Sequence, residues 1–211
     1  ANMNATLKVR PGDRAHADPA QASRPFSADR KGFVLAEGAG VLVLAAEEML
    51  APCGLKPRAE VLGVGWTSDA YHFTNPNRET IVRAIRDAIE DAGLSRDDIQ
   101  YVNAHGTSTP RGDATEIACL RTVFGKRLGT VPVSSNKSQI GHTIGAAAAI
   151  ENALTIEGMQ RGVILPTINH IPAPHLGDVD VVPNAARRQR HEIALTNAFG
   201  FGGAIDLDRA D

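Results

Sequence analysis

Val133-Ser-Ser-Asn-Lys-Ser-Gln-Ile-Gly-His-Thr-Ile-Gly-Ala-Ala-Ala-Ala-Ile-Glu151 decides the reading of this chain. Val131 to Ser135 has the apolar, β-branched start of a short buried strand. A polar loop carrying Lys137 follows, and a helix is expected to open at Gly141-His142 and run to Gly158. Its alanine-rich middle suits close packing against neighbours. Two further stretches end predicted strands in the same way: Val102-Asn-Ala-His-Gly-Thr-Ser-Thr-Pro110 and Asn197-Ala-Phe-Gly-Phe-Gly-Gly203. An α/β protein gathers its chemistry at such strand ends.

Outward from these stretches, elements alternate. Ala59 to Trp66 and Ile99 to Ala104 read as strands, and Ile193 to Ala198 and Gly203 to Leu207 as the last two. Ile81, Ile85, Ala88, Ile89 and Ala92 recur at helical spacing, with Asn75-Pro76 as the start signal and Gly93 as the stop. Thr109 to Phe124 is a second helix, with Ile117, Leu120 and Phe124 on one face. Gly32 to Leu44 reads as two apolar strand-like runs around Glu37-Gly-Ala-Gly40, and Ala45 to Leu50 as a short helix. Residues 1–31 lack periodicity and are expected to be extended surface loop, held by something upstream or by a partner chain. The alternation predicts an α/β fold: a mixed sheet with helices on both faces.

The 211 residues carry 43% hydrophobic side chains and a formal net charge of −2. That is enough apolar content for a core, and it gives no electrostatic case for nucleic acid. The basic run Arg187-Arg-Gln-Arg190 is read as a solvated loop. No apolar run reaches membrane-spanning length, and Ala1-Asn-Met-Asn4 lacks signal-peptide anatomy, so no membrane association and a cytoplasmic location are expected. Cys53 and Cys119 have neither zinc nor disulfide spacing. Cys119 belongs to a helix core and Cys53 to a loop; no metal is expected.

His142, at an expected helix N-terminus, should remain neutral and donate one N–H to a carbonyl. His105 ends a buried strand beside Gly106-Thr107-Ser108-Thr109, where small hydroxyl residues suit a polar ligand arm. Either histidine alone reads more readily as structural; together with Lys137 they make a convergent polar set. A buried ammonium needs an acidic partner, and Glu151 is the candidate for Lys137. The Phe199-Gly-Phe-Gly-Gly203 turn offers backbone N–H groups of oxyanion-hole type, worth about 3 kcal/mol per donor in a dry site.

Three long motifs, in order, carry a family resemblance: Asn103-Ala-His-Gly-Thr-Ser-Thr-Pro-Arg-Gly-Asp-Ala-Thr-Glu116, Ser135-Asn-Lys-Ser-Gln-Ile-Gly-His142 and Asn197 to Gly203. They resemble the β-ketoacyl-acyl-carrier-protein synthases, of synthase II and type II polyketide ketosynthase type. The likeness extends through Ser23 to Phe33, Glu37 to Gly40 and Ser68 to Thr74, nearly the whole chain. It implies the thiolase-like fold, with α-β-α-β-α layers built from two similar halves. Residues 1–54 would bring the tail of the N-terminal half and residues 55–211 the C-terminal half.

The resemblance also implies the chemistry. A cysteine of the N-terminal half takes the acyl chain, a malonyl thioester loses carbon dioxide, and the enolate attacks the acyl-cysteine. His105 and His142 would hold the malonyl carbonyl, with Lys137 as electrostatic support paired to Glu151. Phe201 would be the gating residue whose N–H joins the oxyanion hole. Thr107 and Thr109 would bind the phosphopantetheine arm of an acyl carrier protein; no cofactor bound to this chain is implied. The implied partners are a cysteine-bearing N-terminal half and the carrier protein, in a dimer or higher assembly.

Three departures are visible. Neither Cys53 nor Cys119 sits in the nucleophile's context, so this chain by itself is expected to be inactive in condensation. The family's usual Thr-Asn after the glycines is replaced by Ala204-Ile205, and the segment after Thr74 is short. The alternative function is a non-catalytic, chain-length-factor-like partner subunit.

Overall fold

Residues 5–69, 76–200 and 204–209 are described by a computed structural model of the protein, the last six as backbone. In chain order come single helical turns α1 (Arg14–Ala17) and α2 (Glu47–Leu50), then β1 (Glu60–Gly65), α3 (Arg78–Asp91) and β2 (Tyr101–Asn103). Next are α4 (Pro110–Phe124), β3 (Val133–Ser134), α5 (Lys137–Ile140) and α6 (Ala147–Arg161). β4 (Val163–Ile164) and β5 (Arg187–Arg188) form a small antiparallel ribbon, and β6 (Ile193–Ala198) and β7 (Ala204–Arg209) close the chain. The five-stranded sheet has the order β1-β7-β6-β2-β3.

β6, β2 and β3 run parallel and adjacent, while β7 is antiparallel to both β6 and β1. The segments after β2, β3 and β6 therefore leave from one edge of the sheet. Alternation along the strands separates two cores. Val102 and Leu195 join the buried residues of α3 and α4 on one face. Tyr101 and Ala194 turn the other way, to Met159 of α6, Ile164 and Val182. Helices thus lie on both faces, as the alternation predicts.

α3 starts where Asn77 caps it, its side chain accepting from the Glu79 N–H at 3.0 Å, two residues beyond the expected Asn75. Asn75 itself lies outside the described residues. Gly93, at φ +65°, ends the helix. Thr109 caps α4 through the Gly112 N–H at 3.1 Å, and Pro110 occupies the first turn, where a missing N–H costs nothing.

α3 lies unusually close to β1. A Cβ added at Gly65 would stand 1.9 Å from the Ala84 carbonyl oxygen, and one at Gly63 would stand 2.5 Å from the Ala92 nitrogen. Backbone offers no rotamer to escape into. Gly65→Ala is expected to lower stability by about 3 kcal/mol, read as a drop in the urea midpoint of unfolding. An unchanged midpoint would mean that the helix rides free of the strand.

Several expectations are corrected. Gly32–Leu44 forms no strand; it makes only isolated bridges, Phe33 to Thr6 and Leu35 to His142, because no neighbouring strand stands beside it among the described residues. Residues 1–31 are not all surface. Arg24, Phe26, Ser27 and Arg30 are buried, and α1 is a helical turn. Polar bonds hold this segment down: the Phe26 N–H donates to Asp113 Oδ2 at 2.8 Å, and Arg30 donates to the Ser27 and Pro110 carbonyls. Such bonds leave no periodicity to read.

The helix expected from Gly141 begins only at Ala147, after a 3-10 turn at Ile144–Ala146. Lys137, expected in a loop, opens α5. Arg187 and Arg188, expected in a loop, pair with β4, and Arg187 is fixed by Asp180 at 2.6 Å. Among the described residues no helix is long and apolar enough to cross a membrane.

Candidate active site

Asn103, Ser134 and Ala198 end three parallel neighbours, so the segments carrying His105, Lys137 and Phe199 emerge side by side. One carboxylate ties two of them together. Glu116, buried on α4, accepts the His105 and Gly106 N–H groups at 2.8 Å each and the Asn197 side-chain amide at 2.9 Å. Burial raises its carboxyl above the ordinary range, against those three donors and Lys137.

Glu116 is a residue whose role sequence reasoning missed. The signal was its position: Asp113, Glu116, Ile117 and Leu120 share the buried face of α4, so two carboxyls lie in a stripe otherwise apolar. Asp113, also buried, is pushed up to about 7 by desolvation, with the Phe26 N–H and Arg30 pulling the other way.

The two histidines lie edge to face, with ring centroids 5.4 Å apart and planes at 84°. His105 is also tilted against Phe199 at 5.0 Å, and His142 meets Phe33 edge-on at 5.4 Å. His142 is not at a helix N-terminus. Gly141 turns the chain at φ +72°, and the His142 backbone then pairs with the 34–36 segment. Its N–H donates to the Val34 carbonyl at 2.7 Å, and its carbonyl accepts the Ala36 N–H at 3.1 Å.

Backbone donors set the ring tautomers. The Phe199 N–H donates to Nδ1 of His105 and the Ile144 N–H to Nδ1 of His142, each at 3.3 Å. Ile144 makes its contact from a left-handed backbone, φ +53°, which is unfavourable for a β-branched residue. A ring whose Nδ1 accepts carries its proton on Nε2. Both rings therefore present an Nε2–H donor.

Neutrality follows from burial. Desolvation holds His105 well below the usual imidazole value, helped by Lys137 and His142. Desolvation, then Lys137, brings His142 down to about 4. Burial and a nearby ammonium, not a helix dipole, favour the neutral state expected for His142. Nitrogen NMR of the two rings is expected to report neutral, Nε2-protonated imidazole at pH 5.5, where an unperturbed histidine is mostly charged. Because the folded pKa values are depressed, these groups destabilise the fold as pH falls below about 6.5 toward the folded values.

Lys137 and Glu151 are both fully buried, with Nζ 2.6 Å from Oε1. Burial pushes the Glu151 carboxyl up and the Lys137 ammonium draws it back. Thr107 and Thr109 face each other, Oγ1 to Oγ1 3.0 Å, and Thr109 is at the same time the cap of α4. Phe201 lies outside the described residues. The cysteines stand apart from this group. Cys119 is buried on α4 beside the Arg78 carbonyl, its thiol pushed up to about 11 by desolvation, and Cys53 is exposed. The geometry offers two neutral donors beside a buried cation, an arrangement suited to charge developing on a substrate oxygen.

Residues 58–170 match the family model described as "Beta-ketoacyl synthase, C-terminal domain", more than half of the 211-residue chain. The chain belongs to the β-ketoacyl synthase family. Among its relatives is the Vibrio cholerae 3-oxoacyl-[acyl-carrier-protein] synthase 2, 45% identical over 192 residues, which cover 88% of this chain and 46% of the relative. Nodulation protein E of Rhizobium meliloti is 43% identical over 180 residues, covering 85% of this chain and 45% of that protein.

The synthase fold is shared with solved structures. A chain of a type II polyketide acyl-carrier protein–ketosynthase complex superposes with a TM-score of 0.91 at 31% identity, covering 99% of this chain and 51% of its own. A β-ketoacyl synthase from Burkholderia phymatum gives 0.84 at 38% identity, covering 98% and 53%. The thiolase-like α/β fold is therefore that of a ketosynthase C-terminal part. The chain spans about half the length of the relatives it matches.

Proposed function

We propose that this chain supplies the enolate-stabilising side of a decarboxylative condensing site in fatty-acid or polyketide synthesis. The observation that carries the reading is the pair His105 and His142, both accepting a backbone N–H at Nδ1 and so both donors at Nε2. The two N–H groups hold the thioester carbonyl of a malonyl group. Its C–C bond to the carboxylate breaks, carbon dioxide leaves, and the electron pair moves onto that carbonyl as an enolate. The enolate carbon then attacks an acyl thioester on a cysteine, and the cysteine thiolate departs as the β-ketoacyl product forms. Neutral donors lower the barrier because they strengthen as oxygen charge grows. Burial keeps the rings unprotonated; Lys137, anchored by Glu151, acts in the same direction and adds positive potential.

The nucleophilic cysteine comes from a second, N-terminal half, since neither Cys53 nor Cys119 stands at the histidines. The Thr107–Thr109 pair binds the pantetheine arm of the carrier protein, with both substrates carried on that arm. The test is co-expression with a cysteine-bearing half, followed by mass spectrometry of the carrier protein with malonyl and acyl donors. A β-ketoacyl carrier is expected; a stable complex that releases neither carbon dioxide nor condensed product refutes the reading.

A chain-length-factor-like role is the second reading, favoured by similarity to structures of ketosynthases with chain length factors, one at TM-score 0.85 and 38% identity. It predicts that the histidines can be replaced without loss of turnover in the assembled complex.

A further inference from the structure

Between Thr107 and Thr109, the two hydroxyl residues assigned above to the pantetheine arm, stands a residue in an unusual conformation. Ser108 is fully buried and lies in the left-handed backbone region, φ +70°. Glycine enters that region without strain; a serine stays there only when its surroundings fix it.

The fixing comes from residues 24–32. The Arg24 N–H donates to the Ser108 hydroxyl at 3.1 Å, and the Gly32 N–H donates to the Ser108 carbonyl at 3.0 Å. Arg30 continues the same seam, donating to the Thr109 carbonyl at 3.3 Å and to the Pro110 carbonyl at 2.9 Å. The Phe26 N–H is taken by Asp113 of α4 at 2.8 Å.

The bend at Ser108 decides where its neighbours stand. In a straight strand residues 107 and 109 would lie about 6.6 Å apart on one face. Here their Oγ1 atoms come to 3.0 Å of each other, and that of Thr109 also accepts the Gly112 N–H. The serine hydroxyl bonds to the 24–32 segment while the threonine hydroxyls meet each other.

We propose that Ser108 is a positioning residue: clamped by Arg24 and Gly32, it sets the spacing of the Thr107–Thr109 pair and so the affinity of the site for the pantetheine arm of the malonyl donor. It acts on binding, not on the carbon–carbon chemistry at the histidines. The inference rests on the reading of the two threonines as arm-binding groups and adds what holds them.

Ser108→Gly is the first probe, because glycine keeps φ +70° without strain and loses only the hydroxyl. In a synthase assembled from this chain and a cysteine-bearing half, KM for the malonyl carrier protein is expected to rise about tenfold, with kcat changed less than about twofold. The urea midpoint of the isolated chain should stay near wild type, since relief of strain offsets the unbonded Arg24 N–H. Ser108→Ala loses the same hydroxyl and keeps the strain, so it should show the same rise in KM with a lower midpoint. KM then follows the hydroxyl, and the midpoint follows the backbone.

Thr107→Val supplies the control. It should raise KM by itself, and Ser108→Gly should add less than about twofold to that rise, because the pair is already broken. A wild-type KM in Ser108→Gly, or a KM that tracks the midpoint across the two serine variants, overturns the inference and leaves the arm reading standing. Full additivity with Thr107→Val overturns it as well, since the serine would then act elsewhere. A wild-type KM in Thr107→Val sinks the arm reading and the inference with it.

Discussion

His142→Ala, in a synthase assembled from this chain and a cysteine-bearing half, is expected to lower kcat for condensation by about 10²–10³-fold, the loss typical of one preorganised donor in a water-excluded site. Acyl transfer to the cysteine should continue, because the enolate forms only after it. Release of carbon dioxide from the malonyl carrier should fall in step with condensation. Since the Nε2–H acts on charge that is greater in the transition state than in the bound substrate, kcat should fall more than KM rises. Measuring carbon dioxide and ketoacyl product on the same samples separates the steps. Wild-type decarboxylation by the variant would remove His142 from the chemistry. His105→Ala should behave alike, with an added cost: Phe199 would lose the ring nitrogen that accepts its N–H.

Lys137→Met is expected to destabilise the chain by about 3–5 kcal/mol, because it leaves the Glu151 carboxylate buried without its 2.6 Å partner. Lys137→Met with Glu151→Leu should recover most of that loss, since a buried ion pair contributes little beyond an apolar pair of similar size. The single variant should also depend on pH. Without the ammonium, burial and the nearby Glu116 act on Glu151 unopposed, and its carboxyl rises further above 4.5. A folded carboxyl raised in this way holds its proton more tightly than the unfolded one. Stability then falls as pH rises through the interval between the two values. Urea unfolding of the single and double variants at pH 5 and pH 8 reads both effects. Equal stabilities for the single and double variants would show that Glu151 is not stranded by the change.

The sequence by itself determined the strand–helix alternation, the helices α3, with its stop at Gly93, and α4, and the strand ends at which His105, Lys137 and Phe199 fall. Those are local facts: periodicity, capping and turn chemistry write them into neighbouring residues. The Lys137–Glu151 pair was legible for a related reason, because a lysine after a buried strand requires an acid and Glu151 lies within the same stretch.

Only the tertiary structure decided how His142 is held. Its backbone pairs with residues 34–36, more than a hundred positions away, and that pairing replaces the first turns of the expected helix. No local signal announces a bond of that range. The same holds for Glu116, whose carboxylate joins the ends of two strands, and for Asp113, which anchors the 24–30 segment. The apolar run at 41–44 shows the limit from the other side. Its strand character is local and readable, but whether a strand forms depends on a partner, because a single extended chain cannot satisfy its own ladder groups.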